Sequence, residues 1–403
     1  MPRLSVLRIV DSVAVVLLAT ALWIAGCTGP IGGGGSGNTT VGDQPTIDPT
    51  RLDNYAAPDL PAHYRDPAVA ALDQTRRHPI TDAGATLGRV LFFDRKLSIN
   101  DSLACASCHL PQLGFGDTAR FSLGHDGKRR TTRHSMRLAN ARFYDGPGFF
   151  WDRRSPTLEA QVRDVIINPI EFGFDGARGG VDSLVRKLAR VPWYPPLFAL
   201  AFGDSGVTAE RLQRALAQFV RSVVSTDSKW DRGYAAVYDA ARPAKSLLTD
   251  LPNFTAEENR GRRIFMRTRA QGGAGCASCH VPPTFSMSAT AMSNGMDLGE
   301  TRIFKAPSLK NVALTPPYMH EGRLISPFQV AAYYNQFVQP GPALDPRLHG
   351  ENGGQLDLRL SDEDQLALAA FLMTLTDSTL LSDPRFRDPF REPRSTAASS
   401  PNR

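Results

Sequence analysis

The chain has 403 residues, 42% of them hydrophobic and 21% charged, with a formal net charge of +6. That composition is globular and long enough for two domains with cores of their own, which excludes a disordered or fibrous chain. The 46 basic and 40 acidic residues are scattered, with no basic run interleaved with aromatics, so nucleic acid is not an expected partner.

Residues 1–26 read as an export signal. Arg3 and Arg8 flank the start, and "SVAVVLLATALWIAG" is an apolar core too short for a comfortable membrane span. "IAGC", Ile24 to Cys27, resembles a bacterial lipobox, with Cys27 as the residue that would carry the lipid. Thr28 follows it where an aspartate would favour retention, so the expected place is the periplasm, anchored at the outer membrane. The alternative is an ordinary secretory signal in which Cys27 is incidental. Residues 27–51, rich in Gly, Thr and Pro, read as a flexible tether, and 386–403 as a loose tail.

Two stretches carry the chemistry. "CASCH" occurs at Cys105 to His109 and again at Cys276 to His280. A Cys-x-x-Cys pair alone fits a redox disulfide or half a zinc site. The histidine directly after each pair argues against both, and 171 residues between the pairs is far for a zinc ribbon. Two thiols at that spacing meet the two vinyl groups of a haem, and the adjacent imidazole meets its iron. Cys105, Cys108 and Cys276, Cys279 are therefore expected to attach two covalent c-type haems, with His109 and His280 as iron ligands.

The motifs sit in an internal repeat. "LGRVLFFDRKLSINDSLACASCH" aligns with "RGRRIFMRTRAQGGAGCASCH", and "SMRLANARFYDGPGFFWDRR" echoes "APSLKNVALTPPYMHEGR". Each copy has a Gly-Arg, a haem motif, then an asparagine, Asn140 or Asn311, leading to an aromatic-rich corner; Trp151 stands opposite His320. Helices are expected at "TAERLQRALAQFVRSVV", capped by Thr208 with Leu212, Ala215, Leu216, Phe219 and Val223 on one face, and at "TAEENRGRRIF" and "SDEDQLALAAFLMTL", each opening on a capping-box pattern. The expected fold is mostly α, with two cytochrome c-like domains, 52–250 and 251–385, each around one covalent haem and joined by long irregular loops.

From about Asp82 to Asp377 the sequence resembles the bacterial dihaem cytochrome c peroxidase family, including its branch of protein-modifying dihaem oxidases. The haem motifs, their separation and "FFWDRRSPTLEAQVRDVIINPIEFG" carry the resemblance. It implies that the N-terminal haem reacts with peroxide and that the C-terminal haem receives and stores electrons. Trp151 matches the tryptophan between the haems; Gln161 and Glu171 match the distal glutamine and glutamate. Splitting a peroxide O–O bond needs a base that takes a proton from one oxygen and returns it to the other, and a partly buried carboxylate suits that task.

The resemblance also assigns iron and calcium ligands. His125 matches the histidine that caps the first iron in resting members, with His134 as a rival. Thr315 and Pro317 match calcium contacts made through backbone oxygens, which implies one calcium ion; His134 stands where the family has an asparagine, and a hard cation prefers oxygen. Counting fourteen residues from His320 reaches Tyr334 where peroxidases place a methionine ligand for the second iron. A phenolate stabilises ferric iron and lowers its potential, whereas a thioether raises it. Met287, Met292, Met296 and Met319 are the alternatives, or no sixth ligand; Tyr333 would point elsewhere on a helix. The expected function is reduction of hydrogen peroxide with electrons from a small periplasmic cytochrome c or copper protein. Oxidative modification of a protein substrate is the alternative, and plain electron carriage a third reading that Gln161 and Glu171 speak against. The family is often dimeric, so a homodimer is a further expectation.

Overall fold

The computed structural model describes residues 44–390. The signal segment, the lipobox cysteine and residues 391–403 lie outside them. The fold is mostly helical; its paired strands, His280–Val281 and Ser286–Met287, are two residues each. Among the described residues no helix is long and apolar enough to cross a membrane.

Two helix pairs organise the molecule. In the first, α1 (Asp82–Phe93) packs on α2 (Ala209–Ser222). In the second, α3 (Ala256–Met266) packs on α4 (Asp362–Met373). The expected caps are present. Thr208 accepts from the Arg211 amide, and Thr255 with Glu258 and Ser361 with Asp364 form reciprocal capping boxes. All five residues read as the apolar face of α2 are buried, and pack with Phe92, Phe115 and Tyr55 in one core. A second core gathers Trp230, Phe265, Phe285, Phe371 and Leu372.

The repeat has a physical cause at two positions. A Cβ on Gly88 of α1 would stand 2.0 Å from the Ala215 carbonyl oxygen of α2, and one on Gly261 of α3 would stand 1.8 Å from that of Ala367 in α4. Each glycine is the point where two helix backbones touch, so no side chain fits there. Asn140 and Asn311 are likewise equivalent. Both are fully buried and left-handed, with φ of 61° and 62°. The Asn140 amide donates to Val223 and its side-chain oxygen accepts from Ser225; the Asn311 amide donates to Leu375 and its oxygen accepts from Asp377. Each asparagine thus ties its loop to the chain leaving the second helix of its pair.

The ends of the described chain correct the expected boundaries. The tether was read to run to residue 51, but Thr46 donates to the Pro389 carbonyl through both its amide and its hydroxyl, at 2.7 and 2.8 Å. The tail was read to start at residue 386, but Phe386 is buried against Tyr55, Phe115 and Phe219 in the first core. A single aromatic side chain and a strand-like backbone pairing are enough to hold each segment, and composition did not reveal them.

Candidate functional site: two haem cavities meeting at Trp151

Each Cys-x-x-Cys-His motif opens on an apolar cavity. The first, about 240 Å³, is lined by Cys105, Cys108, His109, Gln161 and Glu171. The second, about 140 Å³, is lined by Cys276, His280, Tyr334, Met287, Met292 and Met319. Trp151 and His134 line both. Neither motif cysteine pair forms a disulfide. Among the described residues the grouping of three metal-capable side chains is Asp297, His320 and Glu321, so neither cysteine pair converges with its histidine on a single point. Thiols and imidazole spread around an apolar cavity fit a large planar group held at its edge and its centre, not a bare ion.

The imidazoles suit an iron. The His109 Nδ1 lies 3.1 Å from the Phe115 carbonyl, which can only accept, so the proton sits there and Nε2 keeps its lone pair. Burial holds His109 below its ordinary range. His280 is pushed down to about 4 by burial, with Arg137 and Arg347 adding repulsion, so it too is neutral at pH 7. Burial raises the thiols of Cys105 and Cys276 to about 12 and that of Cys108 to about 11. These residues fit two haems, each bound through two thiols and one neutral imidazole.

Glu171 and Gln161 come to the same cavity as His109 although they are far from it in sequence. Gln161 lies on the helix Leu158–Ile166, capped by Thr157. The chain then turns at Asn168, whose side-chain oxygen accepts from the amides of Ile170 and Glu171 at 2.8 and 3.2 Å. The same asparagine donates from Nδ2 to Glu171 Oε1 at 3.0 Å. Sequence reading missed Asn168; the signal was an Asx-turn residue three positions before the acid. Burial raises Glu171 to about 7, with Arg154, also on the cavity wall, pulling the other way.

Trp151 is pinned at both ends. Its indole N–H donates to the His134 carbonyl at 2.7 Å, and its own carbonyl accepts from the Lys305 amide at 2.7 Å. Its ring meets that of His320, 6.3 Å between centroids at 60°, and His320 stacks on Phe304 at 4.0 Å. The two residues that the repeat alignment sets opposite each other are therefore in contact.

Three expected ligands fall differently. Tyr334 lines the second cavity, while Tyr333 turns away and donates to the Asn294 carbonyl at 2.9 Å. Asn294 Nδ2 lies 3.4 Å from both Tyr334 Oη and Met319 Sδ, so these two candidates reach one spot. Met296 is buried in a core cluster and does not line the cavity. His125 is not brought to the first cavity. Its Nε2 lies 3.2 Å from the Pro169 carbonyl, and its ring packs on Gly173, where a Cβ would stand 2.7 Å from that nitrogen. In this arrangement the backbone of residues 169–173 holds the ring, which gives no support to the reading of His125 as a cap on the first iron. The residues read as calcium contacts do not fit calcium. Thr315 Oγ1 accepts from the Arg137 guanidinium at 2.7 Å, placing a cation beside the site, and His134 offers a buried nitrogen in place of an oxygen.

Known proteins share this arrangement. The model of the family described as "Di-haem cytochrome c peroxidase" matches residues 82–237. The methylamine utilization protein MauG of Methylorubrum extorquens is 31% identical over 331 residues, covering 78% of this chain and 84% of its own. Cytochrome c551 peroxidase of Nitrosomonas europaea is 28% identical over 333 residues, covering 77% and 83%. Among solved structures, a MauG-like protein associated with microbial copper homeostasis superposes with a TM-score of 0.62 at 26% identity, over 78% of this chain and 95% of that one. The diheme peroxidase BthA of Burkholderia thailandensis shares the fold, with a TM-score of 0.57 at 20% identity over 88% and 96%. With paired motifs, paired cavities and a relative 31% identical over 78% of this chain, the chain belongs to the di-haem cytochrome c peroxidase family.

Proposed function

We propose that the protein is an exported dihaem peroxidase that reduces hydrogen peroxide to water with electrons from a small cytochrome c or copper protein. The observation that carries this reading is Glu171. It is a buried carboxyl with its proton balanced near neutral pH, on the wall of the cavity that holds Cys105, Cys108 and His109. When bound there, a haem supplies an iron that takes up peroxide and electrons. The protein supplies the proton path. Glu171 would take a proton from one peroxide oxygen and return it to the other, and with an electron pair and two further protons one peroxide becomes two waters. Asn168 keeps the carboxylate oriented, and the Gln161 amide offers a donor to the same space.

We read the two cores with their cavities as two haem domains; the first core, its C-terminal anchors aside, runs to Val223 and the second already includes Trp230 and Tyr234, so they divide before Trp230 rather than at the expected residue 250, with Trp151 as the aromatic link along which electrons pass from the second to the first. Cys27 then carries a lipid that holds the enzyme at the periplasmic face of the outer membrane, and a homodimer is the assembly to test for. The placement of His125 supports a first haem whose distal side needs no ligand to leave before peroxide enters.

A second reading, oxidative modification of a protein substrate, is favoured by Tyr334 on the wall of the second cavity. One experiment separates the two. The purified dihaem protein, mixed with a reduced small cytochrome c, is expected to consume hydrogen peroxide catalytically. Peroxide consumption that stays stoichiometric with enzyme, whatever donor is added, would remove the first reading in favour of the second.

A further inference from the structure

Arg137 is the charged side chain on the second cavity wall, and among the described residues no ion pair meets it. It projects from the loop after the first haem motif into the space between the two halves, and its Cγ lies 3.1 Å from where a Cβ on Gly116 would stand. Its hydrogen bonds all go to neutral oxygens of the other half: Thr315 Oγ1 at 2.7 Å, and the Ser308 carbonyl at 3.1 and 3.4 Å. Among the described residues no carboxylate forms an ion pair with it, although most other arginines inside this molecule have one. A second buried cation adds to the imbalance. Lys305 is buried by the aromatic rings of Tyr144 and Phe149, and burial first, then Arg153 and Arg137, push it down to about 7.

A guanidinium is the charge least able to escape by losing its proton. Burial brings Arg137 down to about 10, which leaves it charged at neutral pH. A charge held out of water needs a counter-ion. The apolar cavity that Arg137 lines is the one that would hold the second haem, and a haem brings two carboxylates of its own.

We propose that Arg137 is a fixed cation on the wall of the second haem cavity: its guanidinium would pair with a carboxylate of that haem and takes the place of a calcium ion, which the residues present do not fit. The ion and the side chain solve the same problem. A haem carboxylate held out of water would need positive charge, and a guanidinium anchored on Thr315 and Ser308 would deliver it without a free ion. It also binds carboxylates through paired, directional hydrogen bonds. A positive charge beside the second haem stabilises its reduced form, which suits a haem that stores electrons.

The proposal rests on the two-haem reading, and the haem absorbance of the same samples distinguishes failure of one from failure of the other. Purified holoprotein, passed through a calcium chelator, is expected to contain no stoichiometric calcium and to keep both haem spectra and both midpoint potentials. Arg137→Gln, which removes the charge and keeps a hydrogen-bond donor toward Thr315, is expected to lower the midpoint potential of one haem, with Arg137→Lys restoring most of the shift. One tightly held calcium per chain, whose removal changes a haem spectrum, would overturn the proposal. So would two potentials left unmoved in Arg137→Gln. If that variant does not accumulate, the metal analysis of the wild-type holoprotein decides alone.

Discussion

Glu171→Gln is expected to reduce steady-state peroxide turnover by about 10²–10⁴-fold, the usual contribution of a positioned general base, with the absorption spectra of both haems unchanged. The substitution is nearly isosteric. Asn168 Nδ2 can still donate to the side-chain oxygen, and the Asx turn that positions residue 171 uses only its backbone amide. What is lost is the ability to take a proton. Wild-type activity is expected to fall on the acid side of about pH 7, where Glu171 becomes protonated and can no longer act as a base, and the variant should lack that limb. Stability should move the opposite way. Raising a carboxyl from 4.5 to about 7 penalises its ionised form by about 3 kcal/mol. The sign follows from the direction of the shift: the folded state holds this proton more tightly than the unfolded chain, so the cost appears as pH rises from 4.5 through 7. At pH 8 the Gln variant is therefore expected to melt no lower than wild type, which separates a lost base from a damaged fold. Turnover equal to wild type would remove Glu171 from the mechanism.

Tyr334→Phe is expected to change the ferric low-spin signal of one haem and to raise that haem's midpoint potential, leaving the other haem as it was. Burial raises the Tyr334 phenol far above its ordinary range, with Asn294 as the opposing hydrogen bond. A phenolate forms there only with a cation to receive it, and ferric iron is such a cation. Removing a hard anionic donor destabilises the ferric state, hence the upward shift. Met319 is the competing donor, since its sulfur and the Tyr334 oxygen both lie 3.4 Å from Asn294 Nδ2. Met319→Leu serves as the control. If it moves the spectrum and Tyr334→Phe does not, the second haem has a thioether ligand and its chemistry is that of an electron store.

The parts legible in sequence were those that a bond or a backbone contact dictates. The Cys-x-x-Cys-His spacing follows from attachment chemistry, and the repeat around Gly88 and Gly261 follows from helix crossings that no Cβ can enter. Asn140 and Asn311 recur because one side chain must supply a left-handed corner and two tethers at once. Glu171, Gln161 and Trp151 were placed by resemblance, and the structure brings each to a cavity wall. Side-chain direction was not legible. His125 sits at the right count from His109, yet Pro169 and Gly173 turn its ring away. Thr315 matched a calcium contact by position, but the guanidinium that binds its side chain, and so sets a positive charge beside that site, comes from Arg137, 178 positions away in sequence. The Phe386 anchor was hidden in the same way, since a lone aromatic in a polar segment gives no periodic signal.

The most direct measurement is the mass of the intact, denatured holoprotein after acid-acetone extraction. Thioether attachment at Cys105, Cys108, Cys276 and Cys279 predicts a chain heavier than its mature polypeptide by two haems, with the pigment still in the protein pellet. A pellet without colour, at the mass of the polypeptide and any lipid alone, would contradict the account at its root.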